Sequence, residues 1–366
     1  MAELFEPVTI GSLELKNRVV RSATWDGAAD PSGAVTDDSV ALFRELGRGN
    51  IGLIVTGHAF VSLLGQATSA QYGVHTDEMI PGLKRLVEAV HQGGAKIAIQ
   101  ITHSGINSGY LRQQGIALQV VSPRNGLKAL QQEMTDGDIE ALIDDFVLAT
   151  QRAIEAGFDI VQLHGAHGYM MSQFLSPLSN QRTDRWGGSD ANRRRFHLEM
   201  IKKIRQVIGR DFPLMIKFGV MEDREGGLSL SESVKTAQEM VEQGIDALEI
   251  SSGGSRGSIP RLAEDGSEQV VFRDRAAAVK KAVNVPVILV GGIRSLPMAT
   301  KILHSGDVDL IAMCRPFIRE PDLMVRWQRG EVEPATCISC NKCMPGERVL
   351  SCGEDRRIRE EASAVS

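Results

Sequence analysis

The sequence predicts an α/β fold, a (β/α)8 TIM barrel with an N-terminal β-hairpin cap and a Cys-rich C-terminal extension. Eight short apolar runs alternate with amphipathic helical patterns along the 366 residues. Glycines end several of these helices just before the next run, and polar or glycine residues follow the runs. Alternation of strands and helices is typical of a parallel sheet, and eight such units close a barrel.

A hairpin and eight barrel strands can be placed on the chain. Residues 4–16, which turn near Gly11, predict the hairpin that caps the bottom of the barrel. Short apolar runs bounded by turn signals predict buried parallel strands. The predicted barrel strands are 17–21, 51–55, 96–101, 160–163, 213–217, 247–251, 285–290 and 308–313.

Seven helices are predicted between these strands. They cover 37–48, 80–92, 135–156, 190–208, 230–243, 271–283 and 296–304. Thr36, Ser229 and Ser295 stand at N-cap positions, and Gly244 follows the end of a helix. A doubly wound sheet would place G-x-G-x-x-G after the first strand, and this sequence has none there.

Composition excludes several classes of protein. Lys plus Arg is 41 and Asp plus Glu is 46, which gives a net charge of −5 and no sign of a nucleic-acid surface. No apolar stretch approaches the length of a membrane span, and the N-terminus lacks a signal-peptide pattern. We therefore expect a cytoplasmic protein with no nucleic-acid or membrane partner.

Polar residues follow the carboxyl ends of the predicted strands, where barrel active sites form. Two histidines and a tyrosine lie together after the fourth strand. Glycine pairs and arginines follow the last three strands, as at many phosphate sites. The candidate residues are Ser22, Ala23, Thr24, Gly57, Gln100, His103, His164, His167, Tyr169, Lys217, Gly253, Gly254, Gly291, Gly292, Arg294, Cys314 and Arg315.

Each candidate also has a purely structural interpretation. Gln100 could be a satisfied core amide, and Lys217 could pair with a neighbouring carboxylate. The glycine pairs could be turns, and Tyr169 could be a wall residue. His164 and His167 could bind zinc, although no H-E-x-x-H is present. The joint pattern favours a phosphorylated planar cofactor beside an acid–base group.

The motifs resemble those of the Old Yellow Enzyme family of flavin-dependent oxidoreductases over nearly the whole chain. They include Gln100-Ile-Thr-His-Ser-Gly, Gly157-Phe-Asp-Ile-Val-Gln-Leu-His-Gly-Ala-His-Gly-Tyr, Asn180-Gln-Arg-Thr-Asp-Arg-Trp-Gly-Gly, Gly291-Gly-Ile-Arg and Arg315-Pro-Phe-Ile-Arg-Glu-Pro. The cysteine motif near the C-terminus resembles the branch with bacterial 2,4-dienoyl-CoA reductase and trimethylamine dehydrogenase. Some family members carry a redox-tuning cysteine near position 25, where this chain has Trp25.

The resemblance implies FMN bound over the barrel mouth. Ser22, Ala23, Thr24, Gly57 and Gln100 would line the ring, and Lys217 would stabilise the negative charge of the reduced flavin. The ribityl phosphate would be held by Gly254, Gly292, Arg294, Cys314 and Arg315. We also expect a homo-oligomer.

The resemblance further implies ene-reduction with NADH or NADPH as reductant. His164 and His167 would polarise the carbonyl of a small-molecule enone or enoyl-thioester substrate. Hydride would come from flavin N5, and Tyr169 would protonate the α-carbon. Three alternatives stay open: a flavin-dependent amine demethylase or dehydrogenase, an electron-transfer subunit of a larger complex, and a Schiff-base aldolase that uses Lys217.

Four of the five cysteines form the pattern C-x2-C-x2-C-x8-C, made by Cys337, Cys340, Cys343 and Cys352. In a cytoplasmic protein this clustering predicts a metal site rather than disulfides. Thiolates at this spacing suit [4Fe–4S] or zinc, and the family context favours [4Fe–4S]; an empty site stays open. We therefore divide the chain into a barrel, 1–330, and an extension, 331–366, whose tail from Gly353 should be flexible.

Overall fold

A computed structural model describes residues 3–254, 268–343 and 349–365 of the chain. Its strands are short and mostly buried. In chain order they are β1 (Val8–Ile10), β2 (Leu13–Leu15), β3 (Val19–Arg21), β4 (Leu53–Phe60), β5 (Lys96–Thr102), β6 (Leu118–Val120), β7 (Gln131–Glu133), β8 (Ile160–Gly165), β9 (Leu214–Gly219), β10 (Ala247–Ser251), β11 (Val287–Val290) and β12 (Leu310–Met313).

The α-helices fill the connections between strands. They are α1 (Asp37–Arg48), α2 (Ile80–His91), α3 (Gly109–Gln113), α4 (Asp136–Glu155), α5 (Met170–Leu175), α6 (Asp190–Ile208), α7 (Leu230–Gln243), α8 (Arg273–Lys280), α9 (Leu296–Ser305), α10 (Arg315–Arg319), α11 (Leu323–Gln328) and α12 (Gly353–Val365). Short 3-10 turns lie at Leu63–Gly65, Asp77–Met79 and Gly105–Asn107. No helix among the described residues is both long and apolar enough to span a bilayer.

Eight strands close into a barrel, as the sequence predicts. The order around the barrel is β10-β11-β12-β3-β4-β5-β8-β9, and every pair in it is parallel. β1 and β2 form the predicted antiparallel hairpin. Its turn uses Gly11 at a φ of +57°, a conformation that glycine adopts without strain. The barrel therefore directs all eight strand carboxyl ends to one mouth.

Local sequence signals explain the helix boundaries. The Thr36 side chain accepts from the backbone of Ser39 in a capping box that starts α1. The Ser229 side chain accepts from the backbone of Glu232 at the start of α7, and Gly244 ends that helix in the left-handed region at a φ of +118°. A cap of this kind stabilises a helix by about 1 kcal/mol. Helices α1, α6 and α7 begin and end where the sequence predicts.

Three segments differ from the prediction. The predicted helix 271–283 is confined to α8. β4 continues past residue 55 to Phe60 through a β-bulge, which shifts the register between Val55 and His58. The prediction ended this strand at residue 55 because the Thr-Gly pair that follows is typical of a strand end. The sequence predicts no helix or strand between β5 and α4, yet Leu111, Leu118 and Val120 bury a small apolar cluster in that segment.

The tail from Gly353 forms the helix α12, which the sequence analysis did not predict. Arg356 donates to Ser351 O and Lys342 O over 2.9 Å each, and Arg319 pairs with Asp355 at 3.1 Å. These contacts tie the first turn of α12 to the cysteine segment and to the barrel. Composition alone did not reveal them because their partners lie on other elements.

Candidate active site

The turn after β8 brings two histidines together at the barrel mouth. His164 lies on β8, and His167 follows Gly165 with a φ of +60°, the left-handed region that non-glycine residues rarely occupy. The His167 backbone N–H donates to Ser252 O over 3.0 Å, and its Nε2 lies 2.8 Å from Ser251 Oγ. These two contacts from the end of β10 hold the turn.

Tyr169 completes the group. Its ring centroid lies 4.9 Å from that of His164, and the His164 and His167 rings are 5.2 Å apart. Its hydroxyl is 3.3 Å from Nε2 of His58, whose ring stacks on the phenol. The structure therefore assembles the predicted His-His-Tyr group and adds His58 to it.

Burial controls protonation in this group. Desolvation lowers the pKa of His58 to about 4 and that of His167 to about 3. The pKa of His164 falls well below its ordinary value, through desolvation first and then through His167, His58 and Lys217. Burial raises the pKa of Tyr169. At neutral pH the site therefore holds neutral imidazoles, each with one N–H donor, beside a protonated phenol.

Lys217 forms a buried ion pair, which is the structural interpretation that the sequence left open. Its Nζ lies 2.8 Å from Glu249 Oε1 and donates to Ser22 Oγ over 2.7 Å. The Ser22 hydroxyl in turn donates to Glu249. Glu249 is fully buried, so the ammonium is its charge partner inside the barrel. Ser22 and Lys217 thus lie together as predicted, with a carboxylate that the sequence analysis missed.

Gln100 belongs to the same buried network. Its Nε2 donates to Gln162 Oε1 over 2.7 Å, and Gln162 Nε2 donates to Glu249 Oε2 over 2.7 Å. Gln162 was also missed as a site residue. The signals were present, because a glutamine or a glutamate in an otherwise apolar buried strand needs a polar partner.

The end of β3 passes close to β4 beneath the mouth. A Cβ on Gly57 would lie 3.0 Å from Thr24 O, so glycine permits this approach. Thr24 Oγ1 donates to Ser22 O over 3.0 Å, and Ala23 packs against the core. The predicted residues of this first strand end are therefore adjacent to Ser22.

The predicted phosphate residues lie beside the cysteine extension. Arg294 donates from its backbone N to Glu268 Oε1 over 2.6 Å and from Nη1 to Cys337 O over 3.1 Å. Arg315 donates to Asn341 Oδ1. Cys314 caps α10. Both guanidinium groups thus contact the cysteine segment, and their phosphate contacts stay a prediction.

The glycines at this end differ in their surroundings. Gly291 and Gly292 have φ of +104° and +82°. A Cβ on Gly292 would lie 1.8 Å from Gln269 O, so only glycine fits. A Cβ on Gly254 would meet none of the described residues within 4 Å. The loop from Gly253 to Gln269 falls largely on residues 255–267, outside the described part of the chain.

The four clustered cysteines are free thiols. Burial raises the pKa of Cys343 to about 11, with further contributions from Cys337, Cys352 and Cys340, so the four thiols share one neighbourhood. Within residues 3–254, 268–343 and 349–365, no three His, Cys, Asp or Glu side chains converge as metal ligands. The donor chemistry fits a cluster or zinc, but the thiols do not form a coordination shell.

A cavity of about 270 Å³ opens beside the turn that follows β8. Its lining includes Asn107, Gly168, Gln173 and Gly254. Gly168 directly precedes Tyr169, but the residues that line this cavity do not include Tyr169, His164 or His167.

Comparison with known proteins confirms the family. A family model described as NADH:flavin oxidoreductase / NADH oxidase matches residues 3–333. The chain belongs to this family. Membership of the NADH:flavin oxidoreductase / NADH oxidase family agrees with the resemblance drawn from the motifs and with the closed barrel.

Relatives of the family cover the chain almost completely. NADH oxidase of Thermoanaerobacter brockii is 36% identical over 99% of this chain and 56% of its own length. NADPH dehydrogenase of Geobacillus sp. (strain WCH70) is 35% identical over 87% of this chain and 91% of its own length. A structure of 2-naphthoyl-CoA reductase with 2-naphthoyl-CoA has a TM-score of 0.90 at 27% identity, covering 98% of this chain and 58% of that chain. This chain therefore spans little more than half the length of two of these proteins.

Proposed function

We propose that the chain is an FMN-dependent oxidoreductase that uses NADH or NADPH to reduce the C=C bond of an α,β-unsaturated carbonyl compound. One observation carries the proposal: a protonated phenol, Tyr169, lies beside the neutral pair His164 and His167 at the barrel mouth. Membership of a flavin oxidoreductase family supports FMN and a nicotinamide reductant.

The described residues fit a flavin. Gln100 Oε1 takes part in no hydrogen bond among the described residues, although its side chain is buried. Lys217 Nζ uses two of its three N–H donors, on Ser22 and Glu249. One acceptor and one cationic donor in the barrel interior suit a planar ring that has both N–H and C=O groups. Gly292, Arg294 and Arg315 would hold the phosphate.

Bound flavin would supply hydride chemistry, which carries two electrons from NAD(P)H to the β-carbon of the substrate. His164 and His167 would donate N–H bonds to the substrate carbonyl oxygen and so draw electron density away from the β-carbon. For His167 to donate from Nδ1, Ser251 Oγ must donate to Nε2, a contact of 2.8 Å. The Ser251 hydroxyl would therefore select the tautomer of His167.

Tyr169 would supply the proton. A hydride at the β-carbon and a proton at the α-carbon together add H2 across the double bond, so the phenol must be protonated when the reaction starts. Burial meets this condition because it raises the pKa of Tyr169. Neutral His58, 3.3 Å from the hydroxyl, would orient the phenol and accept a hydrogen bond from it.

The proposed substrate class follows from His164 and His167, the pair that would bind the carbonyl oxygen. Enones and enoyl thioesters both present a C=O conjugated to a C=C bond. The structural similarity to 2-naphthoyl-CoA reductase in complex with 2-naphthoyl-CoA, a CoA thioester, supports including thioesters. Both NADH and NADPH are named among the relatives, so either could serve as the reductant.

The test is a two-step kinetic measurement on protein purified without air. The visible spectrum should show a flavin band, and released FMN should be identified chromatographically. Stopped-flow mixing with NADH and then NADPH should bleach that band, and a simple cyclic enone should restore it anaerobically. A colourless protein that binds no added FMN would contradict the proposal.

Related measurements on the same protein separate the alternative functions. Flavin reduction by an amine without enone turnover would indicate an amine dehydrogenase. Flavin that accepts electrons only from an added flavoprotein would indicate an electron-transfer subunit. Trapping of a carbonyl compound on Lys217 by borohydride would indicate an aldolase.

A further inference from the structure

A chain of side-chain hydrogen bonds crosses the barrel interior from β9 to β5. Lys217 Nζ meets Glu249 Oε1 at 2.8 Å, and Glu249 Oε2 accepts from Gln162 Nε2 over 2.7 Å. Gln162 Oε1 then accepts from Gln100 Nε2 over 2.7 Å. All four side chains are buried, and Gln100 is only 2% exposed. We call these four residues the polar relay.

The ion pair at one end, Lys217 with Glu249, fixes which group donates in each hydrogen bond of the polar relay. An ammonium only donates hydrogen bonds and a carboxylate only accepts them, whereas an amide does both. Glu249 therefore requires the NH2 group of Gln162, which leaves Gln162 Oε1 to face Gln100. Gln100 must then offer its own NH2 group to Gln162, and its Oε1 is left over for another partner.

No described residue uses that atom. Gln100 Oε1 has no hydrogen-bond partner within residues 3–254, 268–343 and 349–365, although its Nε2 and its backbone N are both bonded. Gln100 Oε1 is not one of the fully enclosed side-chain atoms that lack a partner, so it keeps contact with open space. A ligand with an N–H donor can therefore reach this oxygen and bond to it.

We propose that Glu249 is a positioning residue that acts through Gln162 to present Gln100 as a hydrogen-bond acceptor to the bound flavin. The proposal rests on FMN as the cofactor. The flavin ring carries one N–H, at N3, between two carbonyls. A Gln100 side chain that is held with its oxygen toward the ring can accept from this N–H and favours flavin with a proton on N3. Glu249 thereby acts without touching the flavin.

Replacing the carboxylate should reverse the relay rather than merely weaken it. In Glu249→Gln the new amide must turn its oxygen to Lys217, so its NH2 group faces Gln162. Gln162 then accepts with Oε1 and donates to Gln100, whose NH2 group turns toward the flavin. A donor then faces the N3–H donor, and the bond is lost.

Moving the carboxylate from position 249 to position 162 should restore the wild-type direction of the hydrogen bonds in the polar relay. In Gln162→Glu/Glu249→Gln, residue 162 is the acceptor for both neighbours, so Gln100 again offers its oxygen. Two variants that leave Glu249 in place form a second pair. Gln162→Glu keeps the direction, whereas Gln162→Met removes it and leaves the Lys217–Glu249 ion pair intact.

The experiment compares the Kd of FMN with the Kd of 3-methyl-FMN, which lacks the N3–H, for the full chain stripped of flavin. Quenching of flavin fluorescence reports each Kd. The ratio of the two isolates the N3–H bond, because a change in charge or in fold shifts both flavins together. Wild type should favour FMN, and Glu249→Gln and Gln162→Met should lower the ratio about fivefold to tenfold, the effect of one hydrogen bond. Gln162→Glu and the double variant should keep the wild-type ratio.

The outcomes separate the two proposals. A wild-type chain that binds no FMN overturns the proposed function and the flavin-positioning role with it. If wild type binds FMN but the ratio of the two Kd values is the same in Gln162→Met and Gln162→Glu, only the role of the polar relay is overturned. That second comparison stands even if Glu249→Gln, which leaves Lys217 without its carboxylate, does not fold.

Discussion

The Tyr169 hydroxyl lies 3.3 Å from Nε2 of His58, and the two rings stack with centroids 5.3 Å apart. His58 reaches this position because β4 bulges between Val55 and His58 and re-aims the side chain. With a pKa of about 4, His58 is neutral at pH 7 and can accept the phenolic hydrogen. Tyr169 therefore has a partner that orients its proton without removing it.

Tyr169→Phe should separate the two halves of the reaction. Flavin reduction by NAD(P)H does not need the phenol, so its rate should stay near that of wild type. Reoxidation by an enone should slow about 10²–10⁴-fold, because the α-carbon loses its proton donor. Stopped-flow absorbance of the flavin measures both rates.

Tyr110→Phe is the matched control for that substitution. Tyr110 packs against the small cluster of Leu111, Leu118 and Val120. Its loss of a hydroxyl should leave both rates near those of wild type. An equal decrease of both half-reactions in Tyr169→Phe would show that Tyr169 has some other role.

The sequence predicted the barrel and its mouth because periodicity and glycine turns are local signals. It predicted His164, His167 and Tyr169 as a group for the same reason, since they follow one strand. It missed His58, because Thr56-Gly57 resembled the end of a strand, whereas the bulge depends on pairing with β5. A bulge is decided by the neighbouring strand and leaves little trace in its own sequence.

Glu249 and Gln162 show a second limit. Each lies alone in an apolar run, and each is satisfied only by a residue from a different strand. The strands of Gln162 and Glu249 are not neighbours, because β9 separates them in the barrel. Their contact exists only once the barrel has closed, so no local pattern could predict it.

Asn180 should support the active-site turn from below. Its Nδ2 donates to Phe174 O and Trp186 O over 2.7 Å each, and its Oδ1 accepts from Arg182 N over 3.1 Å. Because the residue is buried, Asn180→Ala leaves these backbone groups without a partner. We expect the free energy of unfolding to fall by about 2–4 kcal/mol. Chemical denaturation measures it.

Asn125→Ala is the control for the loss of an amide, because Asn125 is exposed on a loop. It should change the free energy of unfolding by less than about 0.5 kcal/mol. Since α5 begins directly after Tyr169 and ends near Phe174, Asn180→Ala should also slow enone turnover. Equal stability of the two variants would remove the supporting role of Asn180.

Cys343→Ser tests the metal at the cysteine cluster. Four thiols share one neighbourhood near Arg315, and this donor set suits iron–sulfur or zinc. Protein purified without air should contain about four iron atoms and about four sulfides per chain if it holds [4Fe–4S]. Cys343→Ser should lower the iron content severalfold, whereas Cys314→Ser, at the end of β12, should retain it. Elemental analysis that finds zinc in place of iron would reject the cluster.

His197 should make the protein sensitive to mild acid. It is buried in α6 and neither ring nitrogen has a partner among the described residues, so desolvation lowers its pKa to about 3. The unfolded chain binds a proton on this residue below about pH 6.5, whereas the folded protein does so only near pH 3. Stability is therefore fully present above pH 6.5 and is lost as the pH falls, by about 1.4 kcal/mol per pH unit between these values.

His197→Leu should therefore flatten the pH dependence of the free energy of unfolding relative to wild type. The difference between the two proteins should change by about 3 kcal/mol between pH 6.5 and 4.5, as measured by urea denaturation. His197→Gln should flatten the slope equally, because it also removes the titrating ring. Phe196→Leu, the buried neighbour that does not titrate, should lower the stability without changing the slope. A slope that is the same in wild type and His197→Leu would mean that the imidazole binds its proton in the folded state, through water or a local opening of α6.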